Sequence, residues 1–177
     1  RMADSKITDL TAQSVFAFDD LLEGVDVSDT TMAASGTNKK IDLSRFGGFL
    51  SPFVCNGRLT LESGVPVSTT DQTAKTTIYF TPYNGNRIAI YDGTRWKLYE
   101  FTERSLALGT LTSGLNYDVF IYDNAGTLTL ELTAWTNDTT RATALTTQDG
   151  LYVKTGATTR RYLGTMRTTS TTTTEDS

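Results

Sequence analysis

The feature that most constrains this chain is an alternation of apolar and polar residues with a period of two, which begins near residue 55. In the clearest run, residues 127–135, Leu128, Leu130, Leu132 and Ala134 alternate with threonines and one glutamate. Successive side chains of a β-strand point to opposite faces of its sheet, so this run predicts a strand with one buried face and one solvated face. We therefore expect the chain beyond residue 55 to form antiparallel sheets.

Turn dipeptides separate the alternating runs. Asn84-Gly85 and Asp92-Gly93 accept the positive φ angles of a type I′ turn. Because Asp92-Gly93 lies between the strand-like runs 87–91 and 94–101, it predicts a β-hairpin. Further turns are predicted at residues 113–114, 124–126 and 149–150. Roughly eight strands result, and their spacing predicts an all-β fold, an antiparallel β-sandwich of jelly-roll type.

Residues 1–50 show no period and are predicted to form an extended, mostly irregular N-terminal arm. Small apolar clusters in the arm are separated by aspartate, serine and threonine. An arm of this kind cannot bury its own apolar side chains, so we expect it to bury them on a neighbouring chain, at roughly 1.5–3 kcal/mol for each one fully buried. The residues predicted to serve attachment or oligomerisation are Ile7, Leu10, Leu21, Leu22, Val25, Val27, Ile41 and Leu43.

A single hydrophobic core is expected for a chain of 19.4 kDa. We place this core in residues 51–167, as the β-sandwich domain that follows the arm. Residues 168–177 are rich in threonine and contain no apolar residue, so they are predicted to be a flexible tail or a truncated linker.

Charge and cysteine usage exclude several classes of partner. A net charge of -4 offers no basic surface for phosphates, so nucleic acid is not expected as a partner. No apolar run is long enough to span a membrane and the first residues do not resemble a signal peptide, so we expect synthesis in the cytoplasm without membrane insertion. Cys55 is the single cysteine, which excludes an intrachain disulfide and a thiolate-rich metal site.

The chain contains no histidine, the usual general base of serine and cysteine hydrolases and the commonest zinc ligand. A glycosidase needs only two carboxylates, and Glu100, Asp118, Asp123 and Glu131 supply enough of them. These acids are predicted to be ordinary surface carboxylates, because they occupy solvent-facing strand positions or lie beside turns. We therefore predict a protein that is not an enzyme, with no catalytic residue, no metal site and no cofactor.

Aromatic side chains provide the one candidate ligand surface. Those that could form a platform for sugar rings are Tyr79, Tyr83, Tyr91, Trp96, Tyr99, Tyr122 and Trp135. Within this set, Tyr83, Tyr91, Trp96 and Tyr99 are the predicted ligand residues, and a host-surface glycan is the predicted ligand. Packing in the core or across strands is the commoner role of such residues in a β-sandwich.

Several segments of the sequence are similar to segments of known proteins. The opening of tailed-bacteriophage fibre and head-fibre proteins is resembled by four segments, Met2–Thr11, Asp19–Leu22, Val25–Thr30 and Lys39–Ile41. In those proteins this part looks like a virion-attachment arm. Those that are similar to a domain recurring in phage structural proteins are Ile78–Asn86, Tyr91–Gly93, Tyr117–Phe120, Ala134–Asp138 and Thr158–Gly164.

This resemblance implies a structural component of a phage virion, a tail fibre, head fibre or similar part, made in the host cytoplasm. By the same resemblance the arm would attach to capsid or tail proteins, and the β-domain would project as part of a homotrimer. The family implies no catalytic residue that could be transferred to this chain. A receptor- or carbohydrate-binding module and a capsid decoration protein stay open as alternatives.

Overall fold

The computed structural model describes residues 52–176 and, as backbone only, residues 21–26 and 37–42. The chain divides into two units, residues 1–44 and 45–177. All elements of the described residues are β-strands, and every pairing between those strands is antiparallel, which confirms the predicted all-β class. Across these same residues, no helix is long and apolar enough to cross a membrane.

The described part of the first unit is a two-stranded ladder. Strand β1 (Leu21–Asp26) pairs with β2 (Thr37–Asp42) from Leu21 opposite Asp42 to Asp26 opposite Thr37. These strands interrupt the arm that the sequence predicts as mostly irregular. Of the predicted attachment residues, Leu21, Leu22, Val25 and Ile41 belong to this ladder. The others, Ile7, Leu10, Val27 and Leu43, lie outside the described residues.

The second unit contributes twelve strands within residues 52–176, more than the roughly eight expected from turn spacing. Their bounds are β3 (Gly57–Thr60), β4 (Gln72–Lys75), β5 (Thr77–Pro82), β6 (Arg87–Tyr91), β7 (Trp96–Glu100), β8 (Arg104–Ala107), β9 (Asn116–Asn124), β10 (Thr127–Ala134), β11 (Leu145–Gln148), β12 (Leu151–Lys154), β13 (Ala157–Arg167) and β14 (Thr174–Asp176).

These strands form two facing layers. One layer is a five-stranded sheet with the order β10-β9-β13-β12-β11, and the other contains the sheets β3-β5-β8 and β6-β7. Residues 54–56 join the two parts of the second layer, because the Asn56 amide donates to the carbonyl of Arg87 at 2.7 Å while the Tyr83 amide donates to the carbonyl of Asn56 at 2.8 Å. A short pair, β14-β4, flanks the layers. The arrangement fits the predicted β-sandwich.

The hydrophobic core fills the space between the layers. Its buried members are Ile78, Phe80, Ile88, Ile90, Phe101, Leu108, Val119, Ile121, Leu128 and Leu130. Leu128 and Leu130 are 3% and 5% exposed, so the alternation along β10 identified the buried face correctly. Further along the same strand, Leu132 is partly buried against this cluster.

The predicted hairpin at Asp92-Gly93 is present, but its turn is not of the predicted type. Strands β6 and β7 pair up to Tyr91 opposite Trp96, which leaves a four-residue loop instead of two residues. Asp92 does not adopt a positive φ; its Oδ1 accepts the backbone amides of Thr94 and Arg95, each at 2.9 Å. The side chain therefore caps the loop, as aspartate does in Asx turns.

One charged side chain lies inside the sandwich. Arg161 is 6% exposed, and its guanidinium donates to the carbonyls of Pro52 (3.3 Å), Phe53 (3.4 Å), Val54 (2.9 Å) and Ala89 (2.7 Å). Burial lowers the pKa of Arg161 below its usual value. The four carbonyls replace water around the buried cation, so Arg161 fastens the first described residues of the second unit to β6 and β13.

The end of the described chain packs onto the sandwich, so the prediction of a flexible tail is wrong for residues 168–176. Thr168 and Thr174 are each 1% exposed. The Thr168 hydroxyl donates to the carbonyl of Thr112 at 2.6 Å, the Thr174 hydroxyl donates to that of Arg167 at 2.6 Å, and β14 pairs with β4. Because buried hydroxyls that satisfy backbone groups avoid a desolvation penalty, this segment is held without apolar residues.

Candidate functional site

The four predicted ligand aromatics do not form one platform. Trp96 is 6% exposed and its indole N–H donates to Asp149 Oδ2 at 2.9 Å, so the prediction that Trp96 offers a ligand surface is wrong. Tyr91 is half-buried, with its ring tilted against that of Trp96 at 5.6 Å. The predicted turn at Asp149-Gly150 has positive φ at both residues and places the carboxylate that receives the indole hydrogen bond.

Tyr99 and Tyr83 have separate surroundings. The Tyr99 hydroxyl donates to Asp123 Oδ2 at 2.9 Å, and Lys97 lies over its ring. Burial, followed by this hydrogen bond and the carboxylate charge, raises the pKa of Tyr99 well above its usual range. Tyr83 is 39% exposed, with the guanidinium of Arg58 5.3 Å from its ring. Within residues 52–176, the contact that is seen between two of these four rings is that of Tyr91 with Trp96.

A different set of aromatic and charged side chains lies on the outer face of the five-stranded sheet, the face turned away from the core. Because Val119 and Ile121 of β9 point into the core, the alternate residues Asp118, Phe120 and Tyr122 point outwards. Phe120 is nevertheless fully buried, and its ring meets the edge of the Tyr162 ring at 5.9 Å. The outer face is therefore covered by other side chains at its centre.

An ion pair between a buried aspartate and a partly exposed arginine fixes the connection between β10 and β11 across this outer face. Asp118 is 1% exposed; it accepts a hydrogen bond from Arg141 Nε at 2.8 Å and one from the Thr165 hydroxyl at 2.6 Å. The hydrogen bond to Asp118 raises the pKa of Arg141 above its usual value. The Arg141 guanidinium also lies over the ring of Trp135, 4.4 Å from its centre. The expectation that Asp118 is a surface carboxylate is thus wrong.

A second charged cluster occupies the next part of the outer face. Glu131 accepts hydrogen bonds from Lys154 and from Arg160, and the guanidinium of Arg160 lies 4.3 Å from the ring centre of Tyr122. Burial acts to raise the pKa of Glu131, but the hydrogen bonds from Lys154 and Arg160 outweigh burial, so the net shift is downwards. Lys154 also lies over the ring of Phe120. Each cation therefore rests on a ring while it pairs with a carboxylate.

The other two carboxylates considered for catalysis are also engaged. Asp123 accepts hydrogen bonds from the Tyr99 hydroxyl and from the amide of Gly126 at 2.7 Å, and Glu100 is paired with Arg87 at 2.9 Å. All four candidate acids thus accept hydrogen bonds from neighbouring groups. Within the described residues no three histidine, cysteine, aspartate or glutamate side chains lie close enough together to hold a metal ion.

A cleft of about 590 Å³ opens on the outer face beside Arg141, and we call it the outer-face cleft. Its lining residues are Thr139, Thr140, Arg141, Ala144, Leu145, Tyr152 and Tyr162. Tyr152 is 58% exposed, whereas Val153, its neighbour on β12, is fully buried in the core. The volume falls in the range of about 300–1,000 Å³ that is typical of small-molecule sites.

The residues of the outer-face cleft were not among the predicted site residues. The alternation in Leu151–Lys154 could have placed Tyr152 on the outer face, because a buried Val153 requires an outward Tyr152. No sequence pattern places Arg141 there, since it lies in the connection between β10 and β11, where apolar and polar residues do not alternate. Its place on the outer face depends on Asp118, which lies 23 positions away in the sequence.

No family model matches the chain, and no curated protein or solved structure matches it either. The resemblance to phage fibre proteins therefore stays a prediction.

Proposed function

We propose that the chain is a non-enzymatic structural protein of a bacteriophage virion, a tail fibre, head fibre or similar part. In this proposal the N-terminal arm attaches to capsid or tail proteins and to sister subunits, and the β-sandwich projects from the particle as part of a homotrimer. Segments in both halves of the chain resemble phage fibre proteins, and this resemblance supports the proposal.

The observation that carries the proposal is the difference between what the two units bury. The core of the second unit consists of residues from its own strands, including Phe80, Ile88 and Ile121 at 1% exposure or less. The described part of the first unit is a ladder of two strands, β1 and β2. A two-stranded ladder by itself is marginally stable at best in water, so this ladder needs further partners.

A trimer is the partner arrangement that light scattering tests directly. We expect the purified chain at micromolar concentration to have three times the 19.4 kDa mass of one chain. The double variant Leu22→Asp and Ile41→Asp, which places charges at opposed positions of β1 and β2, should lower this mass because desolvating charges opposes burial on a neighbour.

The control for this experiment is Thr127→Asp, which adds one charge at an exposed position where β10 begins. It should leave the mass unchanged. A monomer for the unaltered chain, or a trimer that tolerates both arm substitutions, would contradict the proposal.

A capsid decoration protein is the closest alternative, since it too would pair an attachment arm with a compact β-domain. Electron microscopy of particles that carry a labelled chain separates the two, because a fibre subunit gives density that projects at a tail or head vertex. Density spread over the capsid lattice would favour decoration.

A further inference from the structure

Beyond this structural role, we infer that the sandwich binds an extended acidic peptide segment of another protein, which adds as a strand along β10 and inserts one carboxylate side chain between the two layers. The inference uses the sandwich alone and does not depend on how the arm attaches. It rests on three features: an unpaired arginine on the inner face of an edge strand, a slot beside that arginine, and a long edge strand without protection.

The unpaired arginine is Arg104, at the start of β8. Residues directly opposite each other in a sheet share a face. Arg104 is opposite Phe80, a core residue, so its side chain lies on the inner face of β8. Its Nε is buried without a hydrogen-bond partner, and its guanidinium forms no ion pair with the described residues. A carboxylate that enters beside Arg104 would supply the acceptor that burial has removed.

A slot of about 250 Å³ lies between β8 and β10, and we call it the edge slot. Arg104 lines it, and its apolar lining residues are Leu106, Leu128 and Leu130. The volume is below the range of about 300–1,000 Å³ that is typical of sites for whole small molecules. The edge slot therefore has room for one side chain, with apolar surface for its methylene groups and a guanidinium for its charged end.

The carboxylate of Glu103 also lines the edge slot, but it is bound to other groups. Its Oε1 accepts a hydrogen bond from the Ser63 hydroxyl, and its Oε2 accepts bonds from the Gly64 amide and the Thr81 hydroxyl, each at 2.6 Å. Burial acts to raise the pKa of Glu103, but these three bonds outweigh burial, so the net shift is downwards. Glu103 is thus ionised without pairing with Arg104, and one cation beside one anion favours a ligand with a single carboxylate.

Strand β10 supplies the backbone for strand addition. It lies at one edge of the five-stranded sheet, so one side of its backbone pairs with no other strand of the described residues. Natural edge strands are usually short, or carry lysine, proline or a bulge, which hinder pairing with other chains. β10 has eight residues in unbroken register with β9, and its single charged residue is Glu131. It therefore lacks these protections and offers a template for an incoming strand.

The alternation of side chains along a strand selects which peptide residue enters the edge slot. Leu128 and Leu130 point into the core, so a peptide residue directly opposite either leucine also points inwards, towards the slot. The same rule argues against a second copy of β10 as the occupant. Its inward positions hold leucine and its acid, Glu131, points outwards, so a second β10 would leave Arg104 unpaired.

Isothermal titration calorimetry on the full chain tests this inference, with a seven-residue peptide blocked at both ends as the probe. Its sequence, Thr-Val-Thr-Glu-Thr-Val-Thr, places both valines and the central glutamate on one face of a strand. The control peptide has glutamine in place of glutamate. Because hydrogen bonds to charged groups contribute more than neutral ones, we expect the glutamate peptide to bind about ten- to hundredfold more tightly than the control.

Variants assign the binding to the edge slot. Arg104→Gln should weaken binding of the glutamate peptide about ten- to hundredfold and should change binding of the glutamine peptide by less than about twofold. The matched control is Arg95→Gln, which removes the same charge in the loop between β6 and β7 and should bind both peptides like the unaltered chain. If Arg104→Gln fails to fold, the comparison of the two peptides on the unaltered chain still decides.

Hydrogen exchange tests the strand addition itself. Amides along β10 should exchange more slowly when the glutamate peptide is bound, because an added strand forms backbone hydrogen bonds with the edge. Amides of β11, at the other edge of the same sheet, are the internal control and should not change.

Four results would overturn the inference. They are equal affinities for the two peptides, equal losses in Arg104→Gln and Arg95→Gln, binding of free butyrate as tight as that of the glutamate peptide, and unchanged exchange along β10 when the peptide binds. Tight butyrate binding would indicate a site for a small acid, with no role for the strand edge. Failure of the peptide site leaves the structural proposal standing, and a monomeric chain leaves the peptide site standing.

Discussion

The five-stranded sheet and the β1–β2 ladder are both antiparallel, but they differ in what they cover. The sheet has one face against an apolar core and the other face covered by ion pairs that rest on aromatic rings. The ladder has two strands in the described residues, with six residues in each. Strand pairing alone therefore does not make a stable layer; what lies on the two faces decides whether a sheet is self-sufficient.

The largest effect should come from the core side of the sheet. Ile121→Ala removes a fully buried side chain at the centre of the sandwich and should lower the free energy of unfolding by about 2–5 kcal/mol. Urea unfolding followed by tryptophan fluorescence measures it, since Trp96 is buried in the same unit. Leu22→Ala in the ladder is the control, and should change this transition by less than about 0.5 kcal/mol. Comparable losses in the two variants would contradict the comparison.

The ion pair between Asp118 and Arg141 on the outer face should rank second. Asp118→Ala leaves the Arg141 guanidinium without its carboxylate, and we expect a loss of about 2–3 kcal/mol, below the range for a fully buried pair because Arg141 is about one-third exposed.

The matched control for this variant is Asp138→Ala, whose pair with Arg167 at 2.9 Å is exposed on both sides. It should cost clearly less than Asp118→Ala, because solvent screens an exposed pair. If both variants have the same midpoint in urea, the connection between β10 and β11 is not fastened by Asp118.

The smallest effect should be a dependence of stability on pH that Glu131 contributes. The pKa of Glu131 is lowered on folding, so its contribution is present above the unfolded pKa of about 4.5 and is lost as the pH falls through the lower folded value. Because other carboxylates shift in the same direction, the unaltered chain is compared with Glu131→Gln. The difference in unfolding free energy should be below about 1 kcal/mol at pH 7 and should vanish towards pH 2.

Glu100→Gln is the control for this pH series, because its pair with Arg87 is about half exposed on each side. Its difference from the unaltered chain at pH 7 should be smaller than that of Glu131→Gln. A Glu131→Gln difference that grows on acidification would contradict the proposed role of the Lys154 and Arg160 hydrogen bonds.

Local patterns predicted the parts of the fold that depend on neighbouring residues. The alternation along β10 identified Leu128 and Leu130 as buried, and the glycine dipeptides identified the hairpin at residues 92–93 and the turn at residues 149–150. Both signals follow from the geometry of single strands and short turns. They do not depend on which strands meet in the folded sandwich.

Features that depend on distant pairings escaped prediction. Asp118 reads as a solvent-facing acid within its own strand, and its burial results from Arg141 and Thr165 on other segments. The threonine-rich residues 168–176 are predicted to be a flexible tail because the pattern of apolar residues does not reveal hydrogen bonds between buried hydroxyls and carbonyls. Trp96 reads as a possible platform until the loop that carries Asp149 is placed beside it.

The measurement that most directly tests the central claim compares the full chain with a chain that lacks residues 2–50, by light scattering and thermal unfolding. Our account predicts that the shortened chain is a monomer that still unfolds in one cooperative transition, while the full chain is a trimer. A shortened chain that is unfolded would show that the arm belongs to the core of the sandwich. A shortened chain that stays trimeric would show that the sandwich, and not the arm, assembles the protein.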